Sequence, residues 1–204
     1  MLHLLRLVEL LTNNEDANQT EDIFMAWEID PTHSEVMFSV RHAMITTVRG
    51  NFRVIGGHLH IDEQNPANSS VDAQAQADSI DTRDEKRNGH LKSPDFFDVA
   101  QYPMITFKST KVEPVGGNEY NVIGDLTMHG VTKPVTFNAE YAGQGKDAFG
   151  AQRAGISVHG KINREDWGLT WNAPLEAGGV LVSKDVNIEI DLSAVNQPAT
   201  TTAS

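Results

Sequence analysis

Two histidines one residue apart, His58 and His60, have the spacing in this chain that is most typical of metal chemistry. On a β-strand, residues i and i+2 point to the same side, so both imidazoles could reach one ion. Glu63 lies close by, but no residue at a matching spacing supplies a clear third ligand. Because protein metal sites normally have three or more protein ligands, an exposed histidine pair is the favoured interpretation. The alternative is a metal-dependent barrel enzyme that uses His58 and His60 on a quinone or lipid substrate.

Other catalytic arrangements find little support. Ser34 and Ser93 lie near histidines or carboxylates, but neither is flanked by the glycines of a Gly-x-Ser-x-Gly elbow. The chain has no cysteine, which excludes disulfides, thiolate metal sites and cysteine nucleophiles. The glycine pairs at 56–57 and 178–179 do not match a phosphate-binding loop. We therefore expect no catalytic residue and no metal.

His42 differs from the other histidines because it shares the strand parity of Phe38 and Val40. A buried imidazole needs a hydrogen-bond partner, so His42 fits a satisfied core position. In a hollow barrel it would equally fit a group that orients the polar end of a ligand. The pattern leaves both interpretations open.

The elements that must position these residues are β-strands with alternating polar and apolar residues. Clear alternation is seen at 36–42, 71–78 and 186–193, and weaker alternation at 104–110, 120–128, 135–141 and 154–162. Counting 52–61 as a further strand gives about eight. Strict alternation gives each strand one buried and one solvated face, which is typical of antiparallel sheets. Eight such strands separated by turn signals predict an all-β barrel or sandwich.

One stretch, 82–97 (TRDEKRNGHLKSPDFF), breaks the alternation. Thr82 and Glu85 fit a capping box, and Ser93 precedes a proline suited to the first helical position. The sequence predicts a short helix over 84–91 and then a single turn that ends at the phenylalanines 96–97. This excursion would either cover a barrel mouth or cross the surface, and the pattern does not decide between them.

An eight-stranded barrel is wide enough either to fill its interior with side chains or to hold one ligand. Small residues occupy the candidate inward positions Ala73, Ala75, Ala77, Gly124, Ala139 and Gly160. Inward small residues favour unfilled volume, although they would also let opposed sheets pack closely. The predicted cavity lining is Phe38, Val40, His42, Phe52, Phe96, Phe97, Phe107, Leu126, Phe137, Ile156, Trp167 and Trp171. The candidates for contact with a ligand's head group are His42, Asn88, His90 and Arg153.

The amino-acid composition limits the classes of protein to which this chain can belong. The 204 residues carry a net charge of −12 and are 39% hydrophobic, as expected for one globular domain. The acidic balance argues against a nucleic-acid partner, because neutralising phosphates needs clustered lysine and arginine. No run reaches the roughly 18 to 20 apolar residues of a membrane helix, so we expect no stable membrane insertion.

The two ends of the chain lie outside the alternating pattern. Residues 1–24 are predicted to be an N-terminal extension, either an amphipathic helix or disordered, and 195–204 a flexible tail after a domain at 25–194. The segment 1–11 is a poor signal peptide because charges interrupt it and no small-residue cleavage site follows. Met25 is an alternative natural start.

Nine ordered blocks resemble the YceI-like family. They are 27–31 (WEIDP) with 33–34 (HS), 38–42 (FSVRH), 79–82 (SIDT), 90–98 (HLKSPDFFD), 102–103 (YP), 105–107 (ITF), 124–134 (GDLTMHGVTKP), 163–168 (NREDWG) and 176–179 (EAGG). The resemblance covers about 27–193. It departs from the family pattern at Trp167, where phenylalanine is commoner, and in the extension 1–24.

This resemblance implies an antiparallel, eight-stranded, lipocalin-like barrel that holds a polyisoprenoid in an elongated apolar pocket. It further implies bacterial lipid-binding proteins linked to isoprenoid quinones, stress responses and sequestration of amphiphiles. We therefore expect non-enzymatic binding, transport or storage, with the polyisoprenoid as ligand and no other cofactor. A homodimer is also expected, although no stripe in the sequence marks an interface. The start at Met25 resembles that of cytoplasmic members; a signal at 1–11 would instead place the protein in the periplasm or outside the cell.

Overall fold

The computed structural model describes residues 26–53, 55–176 and 178–197. Within them are eleven strand segments and one α-helix. The strands are β1 Ala26–Ile29, β2 Glu35–His42, β3 Thr46–Phe52, β4 Ile55–His60, β5 Ser70–Gln76, β6 Ile80–Asp81, β7 Met104–Gly116, β8 Glu119–Met128, β9 Val131–Lys146, β10 Gln152–Asn163 and β11 Val182–Gln197. Helix α1 is Glu85–Lys92, and short 3-10 turns occur at Pro66–Asn68, Ala77–Ser79 and Arg164–Trp167.

The eleven segments form eight long antiparallel strands that close into a barrel. Strands β1 and β2 both pair with β11 and follow each other along it, so together they form one bent strand. Strands β3 and β4 form a second bent strand, which pairs with β2 and β1 respectively. Strands β5 and β6 form a third, against β4 and β3. Strands β7 to β11 then follow in order and return to the first strand, which confirms the predicted eight-stranded barrel.

The bends explain where the strand predictions were wrong. The predicted strand 52–61 is divided after Phe52, and the predicted strand 71–78 ends at Gln76, where a 3-10 turn begins. Gly57 has a φ of +142°, and a Cβ at this position would lie 2.2 Å from the carbonyl oxygen of Asp72. Position 57 therefore requires glycine, because only glycine allows this close approach of two backbones.

Helix α1 lies one residue further along the chain than predicted, and its cap is different. The Asp84 carboxylate is the N-cap and accepts a hydrogen bond from the Arg87 backbone N–H. Thr82, predicted to cap the helix, is buried instead, and its hydroxyl donates to Oδ1 of Asn88 at 2.7 Å. The capping box was therefore wrong, although it correctly signalled a helix start.

The barrel has two ends that differ in their connections. We call one the helix end; it carries α1, the 93–103 segment, the β2–β3 hairpin and the 164–181 loop. We call the other the far end; it carries the 61–69 loop and the β7–β8 and β9–β10 hairpins. Strands of up to 16 residues join the two ends.

The chain termini alter the predicted domain limits. Strand β11 continues to Gln197, where it pairs with β1, so the predicted flexible tail at 195–204 begins too early. Residues 198–204 lie outside the described residues, as do the predicted extension 1–24 and Met25. In the described part of the chain, no helix is long and apolar enough to cross a membrane.

Candidate ligand-binding cavity

A cavity of about 1060 Å³ occupies the interior of the barrel. Trp171 borders it at the helix end and Tyr141 at the far end, so it runs through the length of the barrel. Between these ends the alternating strands turn their apolar faces inward. The volume lies at the upper limit of the roughly 300–1,000 Å³ common for small-molecule sites.

Every predicted lining residue except Trp167 borders this cavity. These residues are Phe38, Val40, His42, Phe52, Phe96, Phe97, Phe107, Leu126, Phe137, Ile156 and Trp171. Strand parity explains the agreement, because period two fixes which residues of an antiparallel barrel face inward. Their contact with a ligand stays a prediction.

Trp167 is 2% exposed and does not border the cavity. Its indole N–H donates to the carbonyl oxygen of Leu126 at 3.0 Å, and its side chain packs in the buried cluster with Leu169. Period two no longer applies there, because a 3-10 turn begins at Arg164.

The small residues were predicted to face inward and leave unfilled volume, and the structure confirms this only in part. Ala73, Ala75 and Ala139 border the cavity, but Ala77 does not. The two predicted glycines do not leave empty space, because phenylalanine rings cover them. A Cβ on Gly160 would lie 2.2 Å from Cδ1 of Phe137, and one on Gly124 would lie 2.5 Å from Cζ of Phe107. The glycines keep the lumen open indirectly, since they let these rings lie flat against the sheet.

Gly50 provides a third such pair, with Phe38 as its partner. A Cβ on Gly50 would lie 2.5 Å from Cζ of Phe38. The Phe38 ring is also 5.8 Å from that of Phe52, which continues the aromatic wall toward the helix end.

The helical excursion covers the mouth of the barrel at the helix end. Leu91, Phe96 and Phe97 all border the cavity. The Phe97 ring meets Phe52 edge-on at a centroid distance of 5.8 Å, and Phe96 lies 5.4 Å from Trp171. The mouth-covering interpretation therefore describes this segment better than a simple surface crossover.

Two predicted head-group candidates, His42 and His90, border the cavity at the helix end. The His90 ring stands perpendicular to Trp171 at 4.6 Å, and its Nε2 lies 2.9 Å from Oδ2 of Asp95. His42 is only partly buried, so it is not a sealed core residue.

The prediction that Asn88, the third candidate, faces a ligand's head group was wrong, because Asn88 holds α1 to the barrel. It is 5% exposed, and its Oδ1 accepts hydrogen bonds from both the backbone N–H and the hydroxyl of Thr82. Its amide also donates to Asp81 at 3.0 Å. Asn88 itself does not border the cavity, although its partner Thr82 does.

The same prediction for Arg153, the fourth candidate, was also wrong. On β10, Arg153 lies on the parity opposite to that of the wall residue Ile156. Its guanidinium donates to Asp30 and Asp147 at 2.7 Å each, which ties the β9–β10 turn to the turn after β1. Hydrogen bonds from Thr32, and next from Arg153, hold the pKa of Asp30 well below its usual range. Arg153 therefore serves the fold.

Arg164 is a cavity residue that the sequence interpretation missed. It is 4% exposed, its Nε donates to the carbonyl oxygen of Ser183 at 3.0 Å, and its Nη1 donates to that of Leu169. Burial lowers its pKa from the usual arginine value. The signal was available, because Arg164 continues the inward parity of Ile156 and Ile162 into the following turn.

Tyr141 and Glu63 were also missed, at the far end. The Tyr141 hydroxyl donates to Oε1 of Glu63 at 2.7 Å, and both residues border the cavity. Burial first, and then the Glu63 carboxylate, raise the pKa of the Tyr141 phenol. This bond links β9 to the 61–69 loop across the edge of the mouth.

The histidine pair does not gain a third ligand. His58 is exposed on β4 and His60 is half-buried near the far end, on the parity opposite to the buried Leu59. Among the described residues, no group of three or more histidines and carboxylates could hold a metal ion. The geometry thus offers the metal-dependent alternative no ligand set in this part of the chain.

The family model for the YceI-like domain matches residues 27–194, which is most of the chain and the whole barrel. The chain belongs to the YceI-like family. Most of the blocks that suggested this lie on the barrel strands or on the segment covering the helix end, and the block 163–168 lies at the 3-10 turn after β10.

Relatives agree with this assignment. The protein is 38% identical over 165 residues to Protein YceI of Escherichia coli O157:H7, covering 81% of this chain and 83% of the relative. It is 36% identical over 157 residues to the UPF0312 protein VPA0850 of Vibrio parahaemolyticus, covering 77% and 81%.

Solved structures share the YceI-like barrel. BcnA of Burkholderia cenocepacia is 25% identical with a TM-score of 0.72, and the match covers 81% of this chain and 98% of BcnA. A polyisoprenoid binding domain from Saccharophagus degradans is 18% identical with a TM-score of 0.62, covering 85% and 99%. The expected lipocalin-like fold is confirmed.

Proposed function

We propose that this protein binds, transports or stores a polyisoprenoid or a similar long-chain amphiphile inside the barrel. The observation that carries the proposal is the cavity of about 1060 Å³, which runs between the two ends behind inward-facing apolar side chains. Burying apolar chain there is worth about 0.8 kcal/mol per methylene, so ten equivalents supply about 8 kcal/mol before association costs. No directed polar contact along the chain is needed for such binding.

Family membership supports the same proposal. The Saccharophagus degradans domain, described as binding polyisoprenoid, has the same fold over nearly its whole length. At 18% identity this likeness concerns the barrel, and its ligand is a property of that domain. For this protein it makes a polyisoprenoid the first ligand to test.

The proposed function is binding of the ligand without a chemical reaction. Apolar side chains build most of the cavity wall, and its polar groups lie mainly at the ends. Links to isoprenoid quinones and to stress responses follow only from the family and belong to the proposal. The homodimer and the cytoplasmic location stay predictions.

Native mass spectrometry and lipid extraction test the proposal directly. The purified protein should carry lipid from its host or take up added geranylgeraniol at one molecule per barrel. Ala73→Phe, which adds a ring to the cavity wall, should reduce uptake, whereas Gln76→Phe adds the same ring to an exposed position of β5 and should not. A folded protein that carries no lipid and takes up no isoprenoid would overturn the proposal.

A further inference from the structure

The Arg164 side chain borders the cavity and has an unused hydrogen-bond donor. Its Nη2 is buried and, among the described residues, has no hydrogen-bond partner. It is the one buried side-chain nitrogen or oxygen in this state in the described part of the chain. A buried donor without an acceptor is costly, so such groups usually point to a water or ligand oxygen.

Among the described residues, no carboxylate forms a direct ion pair with Arg164, although Glu165 is close enough to stabilise its charge in part. The two satisfied donors of Arg164 bind backbone carbonyls, which are neutral. The adjacent carboxylate, Glu165, forms its ion pair with Lys184 at 2.8 Å. A buried guanidinium with neutral partners favours an anion more strongly than a neutral acceptor, because the attraction is larger in a low-dielectric site.

The two ends of the cavity carry opposite charge. At the helix end Lys86, Arg87 and Arg164 border it with one carboxylate, Asp84. At the far end the bordering carboxylates are Asp62 and Glu63, together with His60. The helix end therefore attracts an anionic head, and the far end repels one.

We propose that the cargo is an apolar chain with an anionic head, and that Arg164 Nη2 donates to an oxygen of that head at the helix end. This inference rests on the proposed function and names the head-group chemistry and its anchor. The chain runs along the phenylalanine wall toward the Tyr141–Glu63 end. A phosphate and a carboxylate share the required chemistry, an anionic acceptor oxygen.

Three probes with the same geranylgeranyl chain separate the head group from the chain: geranylgeraniol, geranylgeranoic acid and geranylgeranyl diphosphate. Their dissociation constants are measured by isothermal titration calorimetry on the native chain. We expect one or both anionic probes to bind roughly tenfold to a hundredfold more tightly than the alcohol, the range of a charge-assisted hydrogen bond. Which anion binds better identifies the head as carboxylate or phosphate.

Arg164→Gln should abolish this preference, so that the anionic probes bind no more tightly than geranylgeraniol. Lys161→Gln is the matched control, because it removes one positive charge from an exposed position of β10, three residues before Arg164. This control should keep the preference for the anionic probes.

Side-chain resonances of isotope-labelled arginine provide a readout that requires no variant and so does not depend on whether Arg164→Gln folds. The Arg164 signals of the native chain should shift on adding the preferred anionic probe and shift less with geranylgeraniol. Equal affinity for all three probes, a preference that survives in Arg164→Gln, or an unmoved Arg164 signal would each overturn the inference and leave the proposed function standing. Failure of all three probes to bind would overturn both.

Discussion

Gly160→Ala should close the cavity from within by moving a ring rather than by filling space itself. Gly160 lies on β10 opposite Phe137 of β9, and the added methyl would lie 2.2 Å from Cδ1 and 2.7 Å from Cε1 of that ring. Carbon atoms in contact are about 3.5–4.0 Å apart, so the ring must move by roughly 1.5 Å. Because the sheet is behind it, the ring must turn toward the lumen.

The displaced ring has little room to move without excluding cargo. Phe137 already contacts Phe107 at a centroid distance of 5.6 Å, and the Phe107 ring lies against Gly124. Overpacking of this kind costs about 1–3 kcal/mol of stability. If the ring excludes two or three methylene equivalents of ligand, binding weakens by about 2 kcal/mol. That loss corresponds to roughly a 30-fold higher dissociation constant.

The assay compares geranylgeraniol binding with the urea midpoint of unfolding in matched variants. Gly155→Ala on the same strand is the control, because its Cβ meets only Ala142 at an ordinary 3.5 Å. The double variant Gly160→Ala with Phe137→Leu should recover binding, since the smaller side chain leaves room for the methyl group.

Two results would refute this reasoning. In the first, Gly160→Ala folds and binds as Gly155→Ala does, which would mean that the Phe137 ring has a free path away from the lumen. In the second, binding falls and Phe137→Leu fails to restore it, which would place the obstruction elsewhere.

Three further predictions follow from individual contacts. Ligand binding should change the fluorescence of Trp171, which borders the cavity, so Trp171→Phe should remove the signal and Trp167→Phe should leave it. Asn88→Ala should lower the free energy of unfolding by about 2 kcal/mol, measured in urea, because it leaves the buried Thr82 N–H without its acceptor. The pKa of Asp30 is depressed, so its contribution to stability is present above its ordinary pKa of about 3.9 and is lost as the pH falls. The urea midpoint of the native chain should therefore exceed that of Asp30→Asn at pH 7, and the gap should narrow below about pH 4; a constant gap would contradict the assignment.

The fold was predictable from the sequence where side-chain parity alone determines a strand. The alternating strand at 186–193 lies within β11 and points its apolar residues inward, as expected. Strand β3 was not predicted because its sequence, TTVRGNF, shows little alternation and most of its residues are exposed or half-buried. Its strand conformation comes from pairing with β2, a tertiary contact that a local pattern does not contain.

The head-group candidates show a second limit on what can be predicted from the sequence. Asn88 and Arg153 were chosen by residue type, but their partners decide their roles, and Asp30 is 123 positions from Arg153. Strand parity would have separated the two arginines: Arg153 lies on the parity opposite to the wall residue Ile156, whereas Arg164 shares the parity of Ile156. It gives no guide for Asn88, which lies on helix α1. Residue type identifies which groups are able to bind, and strand parity decides which of them reach the cavity.

The positions where this sequence departs from ordinary packing rules lie together on the cavity wall. Glycine within a strand costs about 0.5–1 kcal/mol relative to alanine, yet Gly50, Gly124 and Gly160 each lie beneath a phenylalanine ring that borders the lumen. Arg164 adds a buried charge with an unsatisfied donor. A barrel selected only for stability would place larger apolar residues at all four positions and pack its interior solid. Because unfavourable choices of this kind concentrate at functional sites, their shared location supports the proposal that the lumen holds the ligand.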